Sequence, residues 1–174
     1  MQRLWVNEIS RIFGDRLINK ADEKWFTDIV MDMLSRSFRS PLEFNDLFGE
    51  KKVIFSDILK IDAAVRLYEE IRDVPKLLKV MNNYLEEYNI SSSVKMNLVF
   101  FEDAILHLMK ILRALRQPRG NIMLIGVGGS GKQSLIKLAS YIYQMEFKQI
   151  EIVKGYGVSN FREFIKEMMF TSGV

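Results

Sequence analysis

Four glycines, a serine and a lysine fall within seven positions of this sequence: Gly126, Gly128, Gly129, Ser130, Gly131 and Lys132. Two glycines five apart and then a lysine are the spacing of a phosphate-binding loop, Gly-x-x-x-x-Gly-Lys-Ser/Thr. Glycines remove side chains so that backbone N–H groups can wrap an anion. The lysine adds a point charge toward the outer phosphates. The position after the lysine normally carries a hydroxyl that holds magnesium, and here it is Gln133, with Ser134 one residue late. Magnesium takes hard oxygens in a tight octahedron. The amide oxygen of Gln133 sits on a long arm, and Ser134 is rotated about 100° around a helix from the required place. The spacing therefore predicts phosphate binding by the backbone and Lys132, and leaves magnesium open.

Such a loop works only between a buried strand and a helix N-terminus, where unpaired N–H groups and the helix dipole favour negative charge. Residues 121–127, NIMLIGV, form a short apolar run as expected of a strand buried on both faces. Residues 132–143 follow as a helix with Leu135, Leu138, Ala139 and Ile142 inward. Residues 149–153 predict a second strand, and Asn160 with Glu163 the capping box of a last helix running to about residue 170. Two weaker readings compete. One is a plain glycine turn with a surface lysine. The other is a dinucleotide fingerprint over residues 126–131, with Glu146 or Glu151 as its ribose-binding acid; that loop has no use for Lys132. Two strands do not complete a parallel sheet, and no acidic metal-holding strand follows them. Nucleotide holding without hydrolysis by this chain alone is the expectation.

The rest of the chain is helical in pattern. Residues 4–18 and 22–38 carry apolar side chains at helical spacing, with Asn19 as an N-cap and Ser40-Pro41 as a stop. Trp5 and Trp25 are expected as core anchors. Residues 52–56 predict a short strand or buried turn, and residues 63–71, 75–88 and 95–116 predict helices. Residues 89–93 are the clearest linker. Apolar residues make up 48% of 174, enough for a packed core in one or two domains. The 25 basic and 22 acidic residues leave only +3, which argues against nucleic acid as a partner. With no cysteine, disulfides and thiolate zinc sites are excluded. No apolar run approaches the length needed to cross a bilayer, and the start lacks a signal peptide's apolar core, so a soluble intracellular protein is expected. His107, the one histidine, is expected to carry no chemistry.

GVGGSGKQSL resembles the phosphate loop of the fourth AAA+ module of dynein heavy chains, which also carries Gln-Ser after its lysine. LWVNEISRIFGDRL (residues 4–17) resembles the opening of the third module's helical lid. YLEEYN (84–89) and MNLVFFEDAILHLMKILRALRQPRGNIMLIG (96–126) resemble the entry into the fourth module, and KGYGVSNFREFIKEM (154–168) the stretch after its second strand. The likeness covers essentially the whole chain and leans to the axonemal branch. It implies a helical lid-like subdomain over residues 1–89, at the end of the third module. An incomplete P-loop AAA+ α/β sheet follows over residues 90–174, at the start of the fourth. It implies ATP or ADP as ligand, lined by Gly126, Gly128, Gly129, Ser130, Gly131, Lys132, Gln133 and Ser134, with no catalytic residue in this stretch. It suggests that residues 98–101 approach the adenine, although Leu98, Val99 and Phe101 read equally as core. The implied partners are the remaining AAA+ modules of a heavy chain, intermediate and light chains in the full complex, and the microtubule through a stalk outside this stretch. Nucleic acid and membrane are not among them. The implied setting is the cytoplasm and cytoskeleton of the ciliary axoneme. The chain is read as a fragment or excerpt of that motor, and the competing reading is an interaction element whose loop stays empty.

Overall fold

Two of the long helices in this chain start at short polar side chains. The computed structural model describes residues 1–49, 52–59 and 65–173. Helix α1 (Gln2–Ile12) passes through a 3-10 turn (Gly14–Arg16) into α2 (Lys20–Phe38). Asn19 caps α2, its side chain accepting from the Asp22 N–H at 2.8 Å. Asp73 does the same for α4 (Val74–Ser91), accepting from the Lys76 N–H at 2.9 Å. Each cap satisfies a donor that the helix itself cannot. Between them lie α3 (Phe44–Phe48) and two short antiparallel strands, β1 (Phe55–Ser56) and β2 (Glu69–Glu70), with Phe55 opposite Glu70 and Ser56 opposite Glu69. Helices α5 (Glu102–Arg116), α6 (Lys132–Ile142) and α7 (Val158–Thr171) complete the described elements.

The main core is built where α4, α5 and α6 meet. Leu77 and Met81 from α4, Leu108 and Ile111 from α5, and Leu138 and Ala139 from α6 are each 0% exposed. Full burial of each Leu, Ile or Met side chain among them contributes about 1.5–3 kcal/mol relative to exposure. All four residues expected inward on α6 are buried. This core crosses residue 89, since Leu77 and Met81 lie before it and Leu108 and Leu138 after it. A second cluster joins α1, α2 and α3 through Val6, Val30, Leu34 and Leu47.

Several expectations are corrected. The parallel sheet of the second half is absent among the described residues: residues 121–127 and 149–153 form no strand, and the sheet is β1–β2 alone. A strand is defined by its ladder partners, and a doubly buried one needs a neighbour on each side. Without them Ile125 is 89% exposed and Ile152 84%. The described residues are thus mostly helical with one small two-stranded sheet. Helix α5 begins at Glu102 rather than near residue 95. The Asn89 side chain takes both backbone groups of Met96, accepting from its N–H at 2.6 Å and donating to its carbonyl at 3.0 Å. Those two bonds hold the segment out of the helix and bury Met96. Helix α4 correspondingly runs three residues into the expected linker, to Ser91. Of the helix expected over residues 63–71, residues 63 and 64 lie outside the described residues; the remainder is not helical and supplies β2. Asn160 is the third residue of α7 rather than its cap, and reaches back to accept from the Gly157 N–H at 3.0 Å. Trp5 packs on the second cluster with its ring 5.0 Å from Phe38. Trp25 is not a core anchor: α2 turns Val30 and Leu34 inward and leaves Trp25 63% exposed.

Candidate phosphate-binding site

The glycine loop enters α6 through two left-handed residues, Gly129 (φ 77°) and Gly131 (φ 78°). A β-carbon there would meet the following carbonyl, so only glycine takes this path at low cost. Gly131 is the N-cap of α6 and provides no side-chain cap, in contrast to Asn19 of α2 and Asp73 of α4. The N–H groups of the first turn are therefore left for an external acceptor. Beyond its immediate chain neighbours, a β-carbon on Gly128, Gly129 or Gly131 would meet nothing within 4 Å, so open space lies around the loop. This donor set and this space fit a phosphate group.

Lys132 lies across the loop. Its ammonium donates to the Gly126 carbonyl at 2.8 Å, the Val127 carbonyl at 2.6 Å and the Ser130 hydroxyl at 2.9 Å. Gly126 makes room for this, because a β-carbon there would stand 3.3 Å from the Ser130 Oγ and 3.5 Å from the Lys132 Nζ. Gly126, Ser130 and Lys132 are thus brought together. Gln133 is exposed and Ser134 half-buried, both in the first turn of α6. An ammonium has three donors, and all three are engaged, so an arriving phosphate must displace at least one bond.

Of the segment suggested for the adenine, Leu98 and Phe100 pack against the main core, whereas Val99 and Phe101 are exposed. His107 faces solvent on α5, and Glu146 and Glu151 are also exposed. Sequence reasoning missed the far end of α6. There Tyr143 donates its hydroxyl to the buried Asp57 at 2.7 Å, across 86 residues of chain, and no local spacing announces such a pair. Among the described residues there is no cluster of three or more His, Cys, Asp or Glu placed to hold a metal, and no helix long and apolar enough to cross a membrane.

Residues 96–174 match the family described as "P-loop containing dynein motor region D4". The human protein "Dynein axonemal heavy chain 6" is 40% identical over 174 residues, covering 99% of this chain and 4% of its own length. The human "Dynein axonemal heavy chain 2" is 44% identical over 174 residues with the same coverages. The Mus musculus "Dynein axonemal heavy chain 1" is 37% identical over 172 residues, again at 99% and 4%. The chain therefore spans about 4% of the length of the curated relatives it matches.

Proposed function

From a similarity to axonemal dynein heavy chains that runs over 99% of the sequence, we propose that this chain is a nucleotide-binding stretch of such a motor. It joins the end of the third AAA+ module to the start of the fourth, with the division near residue 89. Residues 126–134 hold the phosphates of ATP or ADP. The observation that carries this reading is the entry into α6: two left-handed glycines, an N-terminus with no side-chain cap, and Lys132 bridging the loop. When bound, the nucleotide supplies the negative charge and the transferable phosphoryl group. The chain's own part is to orient it. The loop N–H groups and the first turn of α6 donate to the phosphate oxygens, and Lys132 exchanges its loop contacts for them. Gln133 offers no hydroxyl to magnesium, so binding is expected to depend weakly on the metal.

In this proposal the stretch tunes a larger cycle. Its partners are the remaining AAA+ modules of the same heavy chain, with intermediate and light chains in the assembled motor and the microtubule reached through a stalk elsewhere. The axoneme of a cilium is its setting. The alternative, an interaction element whose loop takes no nucleotide, is favoured by the apolar residues exposed over 121–127, 149–153 and α7.

Calorimetry with ATP and ADP, with and without magnesium, beside Lys132→Ala, separates the two. Loss of a hydrogen bond to a charged group costs about 1.5–3 kcal/mol, so the variant should bind roughly ten- to a hundredfold more weakly. No binding to the folded wild-type chain rejects the nucleotide reading, and strong magnesium dependence rejects the argument from Gln133.

A further inference from the structure

Helix α6 has the phosphate loop at one end and a buried charge cluster at the other. Asp57 follows β1 directly, and its side chain is only 5% exposed. One of its oxygens accepts from the Tyr143 hydroxyl at 2.7 Å, at the end of α6. The other meets the Arg116 guanidinium at 3.2 Å, at the end of α5. A second residue of the same stretch also grips α6: Arg66 donates to the Ile142 carbonyl at 3.2 Å and lies 5.8 Å from the Tyr143 ring centre. Arg116 in turn lies over Tyr68, 5.0 Å from the ring centre. The C-terminal ends of α5 and α6 are thus fastened to residues 54–58 and 66–70 by one polar knot.

A buried carboxylate is costly unless it is fully paired. Asp57 therefore holds its two partners within narrow limits. The Tyr143 proton stays in place, because burial and the Asp57 charge raise its ionisation above the ordinary tyrosine range. An O–H···O bond spans about 2.5–3.0 Å, so a slide of α6 by more than about 0.5 Å takes this one out of range. The helix is about 16 Å long at 1.5 Å per residue. Its inner face, Leu135, Leu138, Ala139 and Ile142, is packed, so it moves as a unit. Any pull on Lys132 and the first turn must be followed by Asp57 or must break the Tyr143 bond.

We propose that Asp57, acting through Tyr143 and Arg116, is a positioning residue for the phosphate loop, and that a nucleotide bound at Lys132 is felt through it by residues 52–58 and 66–72. The inference rests on the nucleotide reading above. By linkage the effect is reciprocal: the same knot sets nucleotide affinity.

The test is hydrogen exchange of the whole chain, alone and with saturating ATP, in wild type, Tyr143→Phe, Asp57→Asn and Tyr88→Phe as a hydroxyl deletion outside the knot. Tyr143→Phe keeps the Asp57–Arg116 pair and is expected to fold. In wild type and Tyr88→Phe, ATP should slow exchange over residues 52–58 and 66–72 by about fivefold or more, the lower range of allosteric coupling. In Tyr143→Phe and Asp57→Asn that distant protection should vanish, while protection over residues 128–134 persists and ATP affinity changes. A merely structural knot would lower stability in these variants and leave affinity and distant protection as in wild type, which overturns the proposal. Wild-type binding that protects residues 128–134 alone overturns it too, and leaves the nucleotide reading standing. Absence of ATP binding in wild type overturns both.

Discussion

Leu138→Ala probes the scaffold of the phosphate loop without touching the loop. Leu138 is 0% exposed on α6, and its cluster includes Leu77 and Met81 of α4 and Leu108 of α5. Truncation removes buried apolar atoms and leaves a cavity that three packed helices can only partly close. Such changes cost about 2–5 kcal/mol, and full burial places this one near about 3 kcal/mol. For a chain of this length that is a fall in Tm of about 6–12 °C. The assay is urea unfolding followed in parallel by circular dichroism and tryptophan fluorescence. Circular dichroism reports all helices, whereas both tryptophans, Trp5 and Trp25, lie on α1 and α2. Coincident transitions would show that the two clusters unfold together. Ile165→Ala on α7, whose side is 37% exposed and joins neither cluster, is the control and should stay within about 0.5 kcal/mol. A cost below about 1 kcal/mol for Leu138→Ala would refute the reasoning: α6 would not be seated in a packed core, and the loop would have no fixed scaffold.

Two further outcomes can be checked on the same material. Asn19→Ala removes the cap that accepts from the Asp22 N–H and should cost about 1 kcal/mol, read as a lower urea midpoint with an unchanged slope. Glu8 is pushed up by burial, but its hydrogen bond to Arg113 and that guanidinium's charge outweigh this, and its ionisation is lowered below the ordinary carboxylate value. A lowered folded value means stability present above the unfolded pKa and lost as pH falls through the folded one. The wild type's advantage over Glu8→Gln should therefore be full near neutrality and shrink as pH drops below about 4.5. A difference independent of pH would show that the Glu8–Arg113 pair contributes nothing.

What was legible in the sequence is what a short window encodes. The 3.6-residue recurrence of Leu135, Leu138, Ala139 and Ile142 sufficed to orient α6, since it states which side must leave water. Asn19 marked the start of α2 because a cap bonds three residues away. The glycines at 129 and 131 were readable as a loop because their left-handed backbone disfavours other residues. Partners distant in sequence decided the rest. Residues 121–127 look like a strand, yet no second segment pairs with them among the described residues, and Met123, Ile125 and Val127 stay exposed. Met96 would suit a helix until Asn89 claims its backbone groups. Trp25 reads as core, but the side of α2 that meets α1 and α3 belongs to Val30 and Leu34. Asp57 meets Tyr143 only because β1 and the end of α6 are folded against each other. Backbone preference and hydrophobic period are local properties of the chain. Ladder pairing, burial of a chosen face and the pairing of a buried charge are not, and they exist only once the tertiary structure brings the partner within bonding distance.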